Sequence, residues 1–212
     1  ERTQERISTL VLDMLPSSNE REPVAEPSSL DDVAGDVVEL MKARAGDENI
    51  DLVWLPSTTM PTLMFDPEAM HRAVLNIVTN AIDACHDREG GQVVIATGYG
   101  HKGRRARGGG TDNGSGIEKD DLERIFAVFV SHKGGRGTGL GLPVSQKILQ
   151  EHGGRVRVES EVSKGSTFTI EFPANSPHTA AGEAHEQPAE VRGSTNIEQP
   201  AVDQTPAGSP NP

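Results

Sequence analysis

Apolar residues recur along the first half of the chain at spacings that separate helices from strands. In residues 29–45 they return every three or four positions, and residues 67–87 repeat this spacing after Asp66-Pro67. Apolar side chains at such intervals share one face of a helix, so both stretches are predicted to be amphipathic helices. Short runs rich in β-branched and aliphatic residues predict strands at residues 50–55, 62–65 and 92–97.

The second half of the chain has the same mixed pattern. Residues 140–152 have helical spacing and stop at Gly153-Gly154, as a helix C-terminus often does. Residues 155–160 and 166–172 alternate as the strands of a hairpin around Lys164-Gly165. Because helices and strands are mixed without a strict βαβ order, we predict an α+β fold built as a two-layer α/β sandwich.

The two ends of the chain differ from this central domain, which we place at residues 24–173. Residues 1–16 carry an apolar stripe of the kind that forms a helical bundle or coiled-coil seam, and Pro16 ends the helix. Residues 174–212 hold 5 acids, 1 base and no aromatic side chain. Such a segment cannot bury enough apolar surface to offset its ordering entropy, so we expect a disordered tail.

Charge and cysteine content narrow the possible functions. The formal net charge is -12, which argues against broad nucleic-acid binding, yet residues 101–173 hold 9 acids and 12 bases. That basic stretch suits a compact anion such as a nucleoside triphosphate. A single cysteine, Cys85, excludes an internal disulfide and fits a reducing, cytoplasmic setting. The chain begins with Glu1 rather than Met, and we expect it to be a piece of a longer protein.

The helix predicted at 67–87 has a polar stripe. Its members recur at steps of three and four, which places them on one narrow side of the helix: Arg72, Asn76, Asn80, Asp83 and Asp87. A polar stripe can be no more than a solvated face. Asparagine is a poor helix former, however, and two asparagine carbonyls one turn apart could hold a hydrated Mg²⁺, which prefers oxygen ligands.

Two glycine-rich segments follow that helix. Asp112-Asn-Gly-Ser-Gly116 places a carboxylate just before a turn, and Gly137-Thr-Gly-Leu-Gly141 leads directly into the predicted helix at 140–152. Taken alone, the first could be an ordinary turn and the second a flexible loop. A glycine-rich turn at a helix N-terminus also presents backbone N–H groups to phosphates, and Lys133 and Arg136 are near enough in sequence to add positive charge.

Together and in this order, the segments resemble the nucleotide-binding domain of histidine kinases, within the gyrase, heat-shock-90, histidine kinase and MutL superfamily. Residues 76–84 resemble its N box and residues 112–116 its first glycine box. Residues 125–129 resemble the F box, and residues 137–142 match the second glycine box almost letter for letter. The resemblance covers roughly residues 24–173, and His152-Gly-Gly154 near the end of this range also fits the family pattern.

This resemblance implies ATP and Mg²⁺ as cofactors, with residues 118–136 as a mobile ATP lid. Asp112 would accept a hydrogen bond from the adenine amino group, and Asn80 would bind the Mg²⁺ that bridges the phosphates. The catalytic residues implied are Asn76, Asn80 and Lys133. The cofactor-binding residues implied are Asn80, Asp83, Asp112, Gly114, Gly116, Ile117, Phe129, Lys133, Arg136, Gly137, Thr138, Gly139, Leu140, Gly141 and Leu142.

The implied reaction depends on one position. ATPases of the superfamily carry a glutamate one turn before the Mg²⁺-binding asparagine, and here that position is Asn76. An amide cannot act as a general base, so transfer to another nucleophile is favoured over hydrolysis. The resemblance implies that a histidine receives the phosphate and passes it to an aspartate of a response regulator.

The acceptor histidine is expected upstream of Glu1. Residues 1–16 resemble the second helix of the family's dimerisation and phosphoacceptor hairpin, and none of the seven histidines has the acceptor's sequence context. The intact protein is then expected to be a homodimer with its catalytic part in the cytoplasm, and it could be anchored to the membrane.

Two other functions and one departure from the family pattern stay open at this point. The chain could be a serine kinase of the anti-sigma-factor type, or a degenerate module that binds nucleotide or docks without catalysis. The family usually has a β-branched strand before the first glycine box, whereas this chain has Arg107-Gly-Gly-Gly-Thr111. Glycine weakens strand interiors, so this central strand is predicted to be short or irregular.

Overall fold

The structure, a computed structural model, describes residues 23–100, 104–127 and 139–174. The elements in chain order are β1 (Glu26–Ser28), α1 (Leu30–Asp47), β2 (Asp51–Leu55), β3 (Leu63–Phe65), α2 (Pro67–Ala84), β4 (Gln92–Gly100), β5 (Arg105–Asp112), α3 (Lys119–Leu122), α4 (Gly141–Glu151), β6 (Arg155–Glu161) and β7 (Gly165–Pro173). Residues 1–22 and 175–212 lie outside the described ranges, and they hold the predicted N-terminal helix and most of the tail predicted at 174–212. Ala174 does not belong to a disordered tail, because it is buried in the core and its N–H donates to Arg104 O.

The strands form one large sheet and one small one. The large sheet has the order β2-β4-β5-β7-β6, in which β2 and β4 are parallel and the other neighbours are antiparallel. The small sheet pairs β1 with β3. The three long helices pack on one face of the large sheet, and a single apolar core lies between the two layers. The predicted two-layer α/β sandwich is confirmed.

The long helices begin at side-chain caps that the sequence provides. The Ser29 side chain accepts a hydrogen bond from the Asp32 backbone N–H at the start of α1. The Asp66 side chain does the same for the Ala69 N–H at the start of α2, where Pro67 is the first helical residue. These caps satisfy backbone donors that the first turn of a helix leaves without an internal partner.

Helix α2 is shorter than predicted, and one member of the polar stripe leaves it. The helix ends at Ala84 rather than at residue 87. Asp87 has a backbone φ of 61° in the turn that follows. The prediction that Asp87 shares one helix face with Asn76 and Asn80 is therefore wrong, because the chain reverses direction before reaching it.

The prediction of a short or irregular central strand is also wrong. Strand β5 runs without interruption from Arg105 to Asp112 and pairs along its length with both β4 and β7. Its glycines permit close packing: a Cβ atom on Gly109 would lie 2.1 Å from the carbonyl oxygen of Phe168, and one on Gly110 would lie 3.0 Å from Ile95 Cδ1. Hydrogen bonding on both sides offsets the weak strand propensity of glycine, which is strongly dependent on context.

A buried histidine joins the end of α4 to the start of α2. His152 is fully buried, its Nε2 accepts a hydrogen bond from the Asp66 N–H at 3.0 Å, and its Nδ1 donates to Ile148 O at 2.7 Å. Both ring nitrogens are thus satisfied by the neutral Nδ1–H tautomer. The same turn places Gly154 so close to β7 that a Cβ atom would lie 2.5 Å from Glu171 O.

Glu171 lies on the sheet face turned away from the helices, and its titration should be visible in the stability of the fold. Burial acts to raise the pKa of this carboxyl, but the guanidinium groups of Arg105, Arg155 and Arg107 outweigh burial and hold the pKa below 4.5. The carboxylate therefore contributes stability that is fully present above pH 4.5 and is lost as the pH falls through the folded-state pKa.

We expect Glu171→Gln to lower the free energy of unfolding at pH 7 by about 1–3 kcal/mol, because charged hydrogen bonds are lost. Urea denaturation at pH 7 and at pH 3 provides the measurement. The difference between the original protein and the variant should shrink at the lower pH. An equal difference at both pH values would contradict the assigned ion pairs.

Candidate functional site

Three segments that are far apart in sequence meet at one edge of the sandwich: the C-terminal half of α2, the loop after β5 and the start of α4. Their backbones are close, since a Cβ atom on Gly114 would lie 2.3 Å from Ala84 O, and one on Gly141 would lie 3.4 Å from Asn76 Oδ1. These are the segments that the sequence analysis selected as N box and glycine boxes. The fold therefore places their described residues in one site.

Asp112 is a buried carboxylate at the end of β5. Its side chain is 4% exposed, and its Oδ1 accepts hydrogen bonds from the backbone N–H groups of Gly114 at 2.9 Å and Ser166 at 3.2 Å. These two hydrogen bonds fix the orientation of the side chain, so Asp112 can present an acceptor to a donor group on a ligand.

The loop after Asp112 is held to its surroundings on two sides. Ser115 donates its N–H to Ala84 O at 2.9 Å and accepts a hydrogen bond from the Ser163 N–H at 2.7 Å. The Ile117 N–H donates to Ser160 Oγ at 2.8 Å. Gly116 has a φ of +69°, a conformation that side chains disfavour, and a Cβ atom there would lie 2.1 Å from Glu161 O.

Asn76 connects α2 to α4. Its Nδ2 donates to Gly141 O at 3.0 Å and to Ser145 Oγ at 3.2 Å. Ser145 is fully buried and lies 3.2 Å from Ala73 O. Ser145 was not predicted to be a site residue, although a serine on the apolar side of an amphipathic helix is a signal that could have identified it.

We expect Asn76→Asp to weaken this connection. The carboxylate has nearly the same shape but cannot donate to Gly141 O, and it would place a negative charge beside that carbonyl. Loss of these hydrogen bonds should lower the free energy of unfolding by about 1–3 kcal/mol in urea denaturation.

The matched control for this substitution is Asn49→Asp, at an exposed turn position with a φ of 54°. Asparagine and aspartate both tolerate that backbone conformation, so the control should be close to neutral. Equal stabilities of the two variants would show that Asn76 does not hold α4.

The next two members of the polar stripe on α2, Asn80 and Asp83, are partly buried. Asn80 lies one turn after Asn76 on the same side of the helix, and its side-chain carbonyl offers the oxygen that its predicted role as a Mg²⁺ ligand requires. Asp83 accepts a charged hydrogen bond from Arg44 of α1. Arg44 was not selected from sequence, because no local motif marks a residue 39 positions away as a partner.

Cys85 is a buried residue whose side chain lies next to Asn113, the residue that follows Asp112. Burial first, and the charge of Asp112 second, raise the pKa of its thiol above 9.0. Its Sγ is 3.5 Å from Asn113 Oδ1 and 3.6 Å from Gln92 O. The thiol is therefore protonated at neutral pH and serves as a small core residue rather than as a nucleophile.

The second glycine box is described only from Gly139 onward. Gly139 has a φ of +67°, Leu140 precedes the first turn of α4, and Leu142 packs against the core. Upstream, Ile125 is buried and Phe126 packs on the core, while α3 occupies the first part of the predicted lid. The remaining predicted site residues lie outside the described ranges: Phe129, Lys133, Arg136, Gly137 and Thr138.

The family of this chain is shown by comparing its sequence with profiles of known protein families. The sequence profile described as histidine kinase-, DNA gyrase B- and HSP90-like ATPase matches residues 65–176. This chain belongs to that family. Within the described ranges, no helix combines the length and apolar character that crossing a lipid bilayer demands.

Individual relatives are histidine kinases. The chain is 31% identical over 171 residues to the sensor histidine kinase ZraS of Escherichia coli K12, covering 81% of this chain and 36% of ZraS. The solved structure of full-length ShkA in complex with AMPPNP has a TM-score of 0.68 at 28% identity, covering 82% of this chain and 37% of that one. The histidine kinase ThkA in complex with the response regulator TrrA has a TM-score of 0.64 at 25% identity, covering 82% and 48%.

The resemblance seen in the sequence is therefore confirmed. The chain spans about a third of the length of the curated relative that it matches. The family profile covers residues 65–176, whereas the match to ZraS covers 171 residues of this chain.

Proposed function

We propose that this domain binds ATP in the site formed by α2, the loop after β5 and α4, and that it transfers the γ-phosphoryl group to a histidine. The main support for this proposal is the buried carboxylate of Asp112, which accepts hydrogen bonds from two backbone N–H groups just before the first glycine-rich loop. A fixed acceptor there suits the exocyclic amino group of adenine. The similar chain of ShkA was solved with AMPPNP, an ATP analogue.

The phosphates would lie toward the start of α4. A glycine-rich turn at the N-terminus of an eleven-residue helix offers backbone N–H groups and the positive end of the helix dipole. Lys133 and Arg136 precede this turn in sequence and are proposed to add charge. The docking of α4 onto α2 through Asn76 would then set the distance between the phosphates and Asn80.

Asn80 is the proposed protein ligand of Mg²⁺. Within the described ranges, no cluster of three or more histidine, cysteine, aspartate or glutamate side chains suits a metal ion. Mg²⁺ commonly keeps several waters and binds through one or two protein oxygens together with substrate phosphates, so a single amide oxygen fits this mode. When bound, the ion would neutralise charge on the phosphates during transfer.

We expect Asn80→Ala to remove the gain in ATP affinity that Mg²⁺ provides, while the domain remains folded. Asn80 lies on the polar side of α2, so the substitution deletes little core volume. Calorimetric titration with ATP, with and without Mg²⁺, gives the measurement, and Thr79→Ala on the same turn is the matched control. An equal effect of Mg²⁺ on the variant would contradict the metal assignment.

Transfer rather than hydrolysis is favoured by the residue one turn before Asn80. The Asn76 amide cannot accept a proton from water, and its nitrogen is already donating to Gly141 O. Phosphoryl transfer requires mainly positioning and charge neutralisation. The proposed nucleophile is a histidine on a helical hairpin whose second helix is residues 1–16, in a homodimeric protein whose catalytic part is cytoplasmic.

A response regulator is the proposed second partner. ThkA, which shares this fold, was solved in complex with the response regulator TrrA. The proposed sequence of steps is therefore transfer from ATP to histidine and then to an aspartate of a receiver domain.

The test is incubation with γ-labelled ATP and Mg²⁺, using this chain and a version extended toward the N-terminus to include the proposed hairpin. Label should appear only on the extended protein, and it should be acid-labile and base-stable, as phosphohistidine is. Acid-stable label on a serine would favour the anti-sigma-factor type of kinase. Nucleotide binding without any label would favour a degenerate module. Acid-labile label on the chain without the extension would show that the acceptor histidine lies within residues 1–212, and the proposed position of the acceptor would be wrong.

A further inference from the structure

Four arginines cluster on the sheet face that is turned away from the helices. Arg105 and Arg107 lie on β5, and Arg155 and Arg157 lie on β6, with Glu171 of β7 between them. Glu171 Oε1 is 2.6 Å from Arg105 Nε, and its Oε2 is 3.4 Å from Arg155 Nη2 and 3.5 Å from Arg157 Nη2. We call these four residues the arginine face.

The arginine face has a clear excess of positive charge. The carboxylate of Glu171 is 5% exposed, whereas the side chains of Arg155 and Arg157 are 55% and 56% exposed. One carboxylate among these four guanidinium groups leaves the five side chains with a net charge of +3 over a width of about 10 Å, and Glu159 follows Arg157 on the same exposed face of β6. An anionic group from solution can therefore reach donors that Glu171 does not occupy.

The neighbouring strand leaves room for such a group. On β4, the residues paired with Arg107 and Arg105 are Gly98 and Gly100, which have no side chains to cover the guanidinium groups. Among the described residues of β4, the two positions paired with Arg107 and Arg105 therefore carry no side chain that could cover the guanidinium groups.

The chain itself leaves the sheet at this corner. Pro173, the last residue of β7, pairs with Arg105, and the Ala174 N–H donates to Arg104 O at 2.8 Å. The sequence that follows is acidic: residues 183–203 hold Glu183, Glu186, Glu190, Glu198 and Asp203, with a single base, Arg192. Nine residues of extended chain from Ala174 can span up to about 30 Å, which exceeds the width of the arginine face.

We propose that residues 183–203 of this chain dock on the arginine face, where their carboxylates accept hydrogen bonds from the arginines. Guanidinium groups bind carboxylates in a forked geometry, and Glu183, Glu186 and Glu190 offer three carboxylates within eight residues. Exposed ion pairs are individually weak, but attachment to the end of β7 gives these carboxylates a high effective concentration at the arginine face. The interaction should be screened by salt.

A spin label on the acidic segment tests this docking in the complete chain. Ser194→Cys provides the attachment site, and buried Cys85 stays unlabelled. At low ionic strength, the label should broaden the NMR signals of backbone amides at residues 105–107 and 155–157. The broadening should be lost in high salt, and also when Glu183, Glu186 and Glu190 are all replaced by glutamine.

Matched variants distinguish the arginine face from other basic surfaces. Arg155→Gln with Arg157→Gln should remove the broadening, while Lys164→Gln, an exposed base at the tip of the β6–β7 turn, should leave it intact. Broadening that survives replacement of the three glutamates would overturn the proposal, as would broadening centred on residues 119–127. Broadening of isotope-labelled chain by a separate spin-labelled copy would show a contact between molecules and would also overturn it.

Discussion

Asp112→Asn should abolish detectable binding of adenine nucleotides. Oδ1 of Asp112 accepts two backbone N–H bonds, so the amide oxygen of the variant must take that position. The amide nitrogen then replaces the other carboxylate oxygen and presents a donor where the adenine amino group also donates. Loss of a charged hydrogen bond together with two opposed donors should weaken affinity by about 100-fold or more in calorimetric titration.

The control for this variant is Asp36→Asn, an exposed position on α1 that should leave affinity unchanged. The backbone N–H groups of Gly114 and Ser166 keep an oxygen partner in the Asp112→Asn variant, so its fold should be retained. Circular dichroism can verify this. Unchanged ATP affinity in a folded variant would mean that Asp112 only shapes the turn.

Gly116→Ala should destabilise the domain and remove nucleotide binding together. An alanine at a φ of +69° is strained, and its Cβ atom would lie 2.1 Å from Glu161 O, so the loop must move away from the β6–β7 hairpin. Backbone strain and overpacking together should lower the free energy of unfolding by about 2–4 kcal/mol. Displacing the loop also moves the segment that follows Asp112, so ATP affinity should fall.

The chain offers a matched control at Gly90. Its φ is +70°, nearly the same as that of Gly116, but no atom lies within 4 Å of a Cβ atom built there. Gly90→Ala therefore introduces the backbone strain without a steric clash of the Cβ atom, and it should lower the free energy of unfolding by about 1 kcal/mol. If urea denaturation gave the same decrease in the free energy of unfolding for both variants, the close approach of the loop to Glu161 would not contribute to stability.

The sequence was sufficient to predict the three long helices, most strands and the layer arrangement, because apolar spacing determines them directly. It also singled out three segments that the fold brings together, since asparagines on one helix and glycines around Asp112 and before α4 form an ordered set of local signals. The chemical type of each residue was readable at its own position. The contacts that a residue makes with a different helix or strand could not be predicted from that position.

Three differences show why. The glycine-rich strand β5 is regular because β4 and β7 bond to it on both sides, and propensity at a single position does not contain those partners. Asn76 is engaged with α4, and Asp83 with Arg44 of α1, through contacts that join distant parts of the chain. The end of α2 was misplaced by a few residues, because helical spacing does not mark where a chain turns.

The central claim is that ATP binds between α2, the loop after β5 and α4. Hydrogen–deuterium exchange of the complete chain, with and without AMPPNP and Mg²⁺, tests it most directly. We predict slower exchange in residues 76–84, 112–117 and 139–145, and no change on the opposite sheet face at residues 155–157. Slower exchange confined to other segments, or no change at saturating nucleotide, would contradict the account.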